Sequence, residues 1–119
     1  MGAPRPTEIR VAEQGRRLDV TFVDGSRFTL PAEYLRVESP SAEVQGHRPG
    51  ERRIVAGRRH VRIIGIDPVG NYAVRLIFDD LHDTGIYSWE VLRQLGSEQA
   101  VRWQTYLEAL AAHGLSRDP

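Results

Sequence analysis

Between Leu18 and Leu30, large apolar side chains alternate with polar ones on both sides of an Asp-Gly pair, and that pattern demands an antiparallel hairpin. Leu18, Val20 and Phe22 alternate with Asp19, Thr21 and Val23, and Phe28 and Leu30 flank Thr29. Loop length decides which side chains face each other. A two-residue loop, Asp24-Gly25, would pair Phe22 with Arg27 and mix the faces. A three-residue loop, Asp24 to Ser26, pairs Val23 with Arg27, Phe22 with Phe28 and Val20 with Leu30. It keeps every large apolar side chain on one face, so it is the expected loop, with Gly25 at positive φ.

The rest of the chain builds on this hairpin. Ile9 and Val11 form a short alternating run before it, and Glu13 to Arg16 makes a turn. Pro31 opens a short helix to about Val37, which Tyr34 and Leu35 dock on the sheet. Residues 38 to 58 are poor in apolar side chains and read as a long loop ending in arginines. From His60, a second and longer hairpin follows, with a turn over Asp67 to Asn71 and alternation from Tyr72 to Phe78. Asp79 to Thr84 is a turn and Gly85 to Tyr87 a last short strand. Ser88 is an N-cap for a helix from Trp89 to Leu95, closed by Gly96. Ser97 caps a second helix to about His113, with Trp103, Tyr106, Leu107 and Leu110 on one face.

The expected fold class is therefore α+β: a mostly antiparallel sheet built from two hairpins, with a short helix after the first hairpin and two C-terminal helices covering the apolar face. The expected organisation is a disordered tail over 1–6, one domain over 7–113 and a C-terminal tail over 114–119.

Composition narrows the function classes. A chain of 119 residues is one ordinary domain, and sixteen basic residues balance sixteen acidic ones. A pI near 6.9 argues against a generally basic nucleic-acid binder or a polyanion mimic. Every basic residue is Arg, which reads as codon bias rather than selection at a site. The chain has no cysteine, which removes disulfides, thiolate metal sites and cysteine nucleophiles. No run of about 18 apolar residues exists to span a membrane. The first seven residues hold two prolines and no apolar core, so they are not read as a secretion signal, and a cytoplasmic protein is expected.

No glycine-rich phosphate loop or nucleophile elbow is present, and nothing local orients a histidine toward a serine. His82 sits among Asp79, Asp80 and Asp83. These residues could serve a metal that takes imidazole and carboxylate ligands, or form a solvated acidic turn, and their spacing matches no metal loop. His82, Asp80 and Asp83 are thus the weak metal candidates, with His47 as a further donor. Arg52, Arg53, Arg58, Arg59 and Arg62 read as a solvated strand edge rather than a nucleic-acid site, because stacking aromatics are lacking.

Three segments carry a family resemblance: Leu30 to Arg36, Ser39 to His47, and His82 to Trp89. With the Phe22-to-Phe28 hairpin and Tyr72 to Asp79, residues 7 to 96 resemble the γ-butyrobetaine hydroxylase-like N-terminal domain family, also called domain of unknown function 971. The resemblance implies a small bacterial stand-alone member of a family whose domain is non-catalytic within 2-oxoglutarate-dependent hydroxylases. It also implies kinship with members fused to P-loop Fe–S cluster carriers of the Mrp type. The hydroxylase members hold a structural zinc through three cysteines and a histidine. The histidine matches His82, but the stretch that should carry the cysteines reads Val37, Glu38, Ser39, Pro40 and Ser41. No zinc, and no cofactor, is therefore expected.

The functional expectation is a non-enzymatic protein-interaction or accessory module. Its contact candidates are Arg36, Ser39, Ser41, Glu43, His47, His82, Asp83, Tyr87 and Trp89, with a metalloprotein or Fe–S carrier as partner. A homodimer is compatible with the exposed strand edges. The alternative is a metal-binding protein using His82 and the neighbouring carboxylates.

Overall fold

The first hairpin gains a third strand in front of it. In the computed structural model, which describes residues 5–46, 48 and 50–119, β1 (Pro6–Ala12) pairs antiparallel with β2 (Arg17–Phe22), and β2 with β3 (Arg27–Pro31). Val20 faces Phe28 and Leu18 faces Leu30, so the pairing slips by two residues from the expected register. The side chains keep their faces because the slip equals the strand period. The turn is responsible: the Phe22 N–H donates to the Ser26 carbonyl at 2.8 Å, which leaves Val23, Asp24 and Gly25 as the loop. Gly25 has the expected positive φ, at 89°. Phe22 and Phe28 still meet, diagonally and edge-on, with centroids 5.9 Å apart.

A second antiparallel sheet follows the order β4 (Ile63–Val69), β5 (Ala73–Phe78), β6 (Gly85–Ser88). β4 runs through Pro68, so the turn is shorter than expected and covers only Gly70 to Tyr72. The fold is α+β with antiparallel sheets and C-terminal helices, as expected, and its strands divide into two three-stranded sheets. Gly15 brings the sheets together. It has φ 88°, and a Cβ there would lie 2.4 Å from the carbonyl oxygen of Ile63.

Four α-helices complete the described residues. α1 (Ala32–Val37) is buried along its whole length, and α2 (Ala42–Gln45) forms inside the segment expected to be loop. α3 (Trp89–Ser97) starts at the expected N-cap, where the Ser88 hydroxyl accepts from the Val91 N–H at 3.1 Å. α3 runs through Gly96 rather than stopping there. A Cβ at Gly96 would lie 2.4 Å from the Phe28 ring, so this glycine serves close packing and not a helix end. Ser97 is the last residue of α3, and Glu98 stands at the N-cap position of α4 (Gln99–Ala112) without a side-chain capping bond.

The main core holds Leu18, Val20, Phe22, Leu30, Leu35, Leu76, Phe78 and Leu92, all essentially inaccessible. A smaller cluster joins Val37 to Tyr106 and Leu110 of α4, against Ile54 and Val55. α4 thus covers the end of α1 and the 54–56 segment, whereas α3 contributes Leu92 and Leu95 to the main core.

Among the described residues, the C-terminal stretch is held more firmly than expected and β1 starts earlier. β1 begins at Pro6, within the expected tail, and residues 1–4 lie outside the described residues. The stretch after Gly114 docks back on the domain. Ser116 and Arg117 carbonyls accept from Gly57 and Arg59, and Arg117 forks onto Glu33 at 2.7 and 2.9 Å while lying over the Trp103 ring. No helix among the described residues is long and apolar enough to cross a membrane.

Gly96→Ala tests the α3–β3 contact. Helix propensity alone favours alanine by about 1 kcal/mol, but overpacking costs about 1–3 kcal/mol. The variant should unfold at lower urea, and Phe28→Leu in the same chain should recover part of the loss. An unchanged or higher midpoint for Gly96→Ala would contradict this packing.

Candidate functional site

The segment after α1 and the turn between β5 and β6 meet at His82. His82 is 5% exposed. Its Nδ1 lies 3.1 Å from Glu43 Oε2 and its Nε2 lies 2.9 Å from Ser39 Oγ. A carboxylate only accepts, which places the ring hydrogen on Nδ1. Nε2 then accepts from the Ser39 hydroxyl, and that oxygen in turn accepts from the Ser41 N–H at 3.3 Å. Ser41 Oγ caps α2 by accepting from the Glu43 N–H, and it also meets Thr84 Oγ1 at 2.6 Å. The Gln45 amide donates to the Ser39 carbonyl at 2.8 Å. Gly85 gives Ser39 its room, because a Cβ there would lie 2.7 Å from Ser39 Oγ.

A second set of charges supports the turn. Asp80 Oδ2 accepts from Arg36 Nε at 2.8 Å and from Arg58 Nε at 2.7 Å, while Asp80 Oδ1 accepts from the His82 N–H at 3.2 Å. Burial pushes the Asp80 carboxyl upward, but the Arg36 and His82 hydrogen bonds and the nearby guanidinium charges outweigh it and hold the group below its ordinary 3.8. For His82, burial and then the Arg36 charge favour the neutral ring, against the pull of Glu43, so its pKa falls below 6.5. Between Asp80 and His82, Leu81 is held in the left-handed region at φ 73°, and the residue is 86% exposed.

Ser39, His82 and Glu43 have the connectivity of a serine–histidine–carboxylate relay, which no local sequence pattern announces. The serine is wrongly placed for attack. Ser39 is fully buried, and its oxygen already serves the Ser41 N–H and the imidazole. The arrangement ties two loops together instead.

Of the expected contact residues, the structure unites Arg36, Ser39, Ser41, Glu43 and His82. Arg36 and Ser39 are interior members of the network, not surface ones. Asp83 is exposed and faces Arg75 at 3.6 Å. Tyr87 is fully buried and its hydroxyl donates to the Leu35 carbonyl, so it presents nothing to a partner. Trp89 lies past the opposite end of β6, its indole N–H on the Asn71 carbonyl at 2.9 Å. His47 lies outside the described residues. Arg58, read from the sequence as part of a solvated strand edge, is instead drawn onto Asp80, and sequence reasoning missed Thr84, Gln45 and the exposed Leu81.

The family model described as gamma-butyrobetaine hydroxylase-like, N-terminal, matches residues 9–93. The chain belongs to this family. Two solution structures determined by NMR are similar to it. One is 41% identical with a TM-score of 0.85 and covers 99% of this chain and 93% of that one. The other is 49% identical with a TM-score of 0.84 and covers 98% of this chain and 87% of that one. A crystal structure of a protein of unknown function from Acidithiobacillus ferrooxidans, of the DUF971 family, is 42% identical with a TM-score of 0.66. It covers 79% of this chain and 94% of that chain. No match is found among curated proteins.

Within the γ-butyrobetaine hydroxylase-like N-terminal family, zinc is the metal that the resemblance implies, and the residues present here do not fit it. The segments that should bear its ligands do meet, but Ser39 arrives as a neutral hydroxyl hydrogen-bonded to His82. Structural zinc needs a closed set of four ligands, usually thiolate and imidazole. Among the described residues, no three of His, Asp and Glu gather as a metal cage. The acids flanking His82 are engaged elsewhere: Asp79 accepts from the Arg62 N–H, Asp80 from two arginines, and Asp83 pairs with Arg75.

His82 gives a pH signature. Because the folded ring holds its proton less tightly than the unfolded ring, its stabilising contribution is complete above pH 6.5 and is lost as pH falls through the folded value. The urea midpoint should fall between pH 7 and pH 5, and His82→Gln should flatten that fall. An equal fall in the variant would assign the dependence to other groups.

Proposed function

We propose that this chain is a non-enzymatic interaction module whose contact surface is the β5–β6 turn with the neighbouring segment 41–46. The observation that carries this reading is Leu81. An L-residue in the left-handed region is strained by roughly 1–2 kcal/mol, and a large apolar side chain there gains nothing from burial. Such strain persists only where the surroundings over-determine it. Here the Phe78 N–H donates to the His82 carbonyl, the Leu81 N–H to the Phe78 carbonyl, and the network beneath fixes both neighbours. The fold thus presents a rigid apolar knob, the kind of feature that anchors an interface. The sealed position of Ser39 supports a binding role over a hydrolytic one.

The partner class proposed is a P-loop Fe–S cluster carrier, by analogy with the fused members that the family resemblance implies. Leu81→Gly separates contact from folding. Glycine relieves the strain but adds unfolded-state freedom of about 0.5–1 kcal/mol, so the melting temperature should hold or rise. Affinity for the purified carrier from the same source, read by calorimetry, should drop at least about tenfold. Equal affinity for wild type and variant, or no binding by the wild type, would overturn the proposal.

A further inference from the structure

Beside the His82 network lies an open cleft of about 280 Å³, lined by three guanidinium-bearing residues, Arg36, Arg53 and Arg58, with Glu43 and His82. Ile54 and Val55 add an aliphatic wall. We propose that this cleft receives a carboxylate from a partner polypeptide. The inference rests on the interaction-module reading and names the chemistry that the partner would bring next to Leu81.

Two features of the cleft point to an anion. Arg36 is 8% exposed, and its Nη1 is buried with no hydrogen-bond partner. A buried donor without an acceptor is costly, and such groups commonly mark the place of a missing ion or water. Arg53 supplies a guanidinium that makes no hydrogen bond or ion pair among the described residues, whereas Arg36 is engaged through Nε alone.

Charge identifies which anion. Three arginines face two acids: Asp80, shared by Arg36 and Arg58, and Glu43, turned toward His82. His82 is held toward its neutral form. One positive charge is therefore left over. A monoanionic carboxylate matches that surplus and the planar fork of arginine. Phosphate, which carries about one and a half charges at neutral pH, overshoots it.

The test is a titration of the full ¹⁵N-labelled chain, following the arginine Nε–H signals by NMR. The probes are N-acetylglutamate α-amide, with a side-chain carboxylate, N-acetylglycinate, with a terminal one, and inorganic phosphate. Either carboxylate should shift the Arg36, Arg53 and Arg58 signals saturably, with the tighter probe naming the source. Phosphate should bind at least about tenfold more weakly. Arg53→Ala should weaken carboxylate binding about fivefold or more, and the exposed Arg27→Ala should leave it unchanged. Shifts that are absent or unsaturable, phosphate binding as tightly, or equal losses in the two variants would overturn the proposal. Unsaturable or absent shifts would point to water as the partner of Arg36 Nη1. No partner protein is involved in the titration, so its failure removes the cleft while the Leu81 surface is judged by carrier binding.

Discussion

The hydrogen bond between Ser39 and His82 joins residues 43 positions apart, and the geometry of the whole site hangs on it. Ser39 orients the segment leading into α2 through its hydroxyl, its carbonyl and the Ser41 N–H. His82 orients the turn that carries Asp80 and Leu81. Neither group has a solvent alternative, because Ser39 is fully buried and His82 nearly so. A polar pair of this kind stabilises only while both members are satisfied, and losing one leaves the other as a buried cost. The neutral imidazole suits this role, since it donates at one nitrogen and accepts at the other.

α1 supplies the second organising element. Its six residues are all buried, including Glu33 and Arg36, and Glu38 follows directly. Each of these charges is met by a different later segment. Glu33 takes Arg117 from the C-terminal stretch, Arg36 meets Asp80 in the β5–β6 turn, and Glu38 takes Arg52 and Arg102. Burying charges is unfavourable unless they are paired with good geometry, so removing one partner is much worse than never having had the pair. These ion pairs therefore specify where the later segments dock more than they raise overall stability.

The faces of the first hairpin were legible because alternation has a period of two, whereas its register was not, because a turn hydrogen bond chose between pairings with the same facing. The Ser88 cap was legible as a local signal, and Gly96 misled because a glycine near a helix end has two explanations. Phe28, distant in sequence, decides between them. His82 stood out among its acids, but its partners Ser39 and Glu43 lie about 40 positions away, beyond any spacing rule. Tyr87 and Trp89 looked like surface residues of a distinctive motif. The alternation of β6 buries the first, and the strand's length carries the second to the far end. Leu81 could not be found at all, because nothing in its residue type announces a positive φ.

The most direct measurement of the central claim is the protonation pattern of His82, read from long-range ¹H–¹⁵N NMR correlations of the imidazole at pH 7. The structure requires a neutral ring with its hydrogen on Nδ1, toward Glu43, and a bare Nε2 accepting from Ser39. That tautomer should disappear from the spectrum of Ser39→Ala or become mixed with the other one. A doubly protonated ring, or a hydrogen on Nε2 in the wild type, would contradict the clamp on which this account of the site depends.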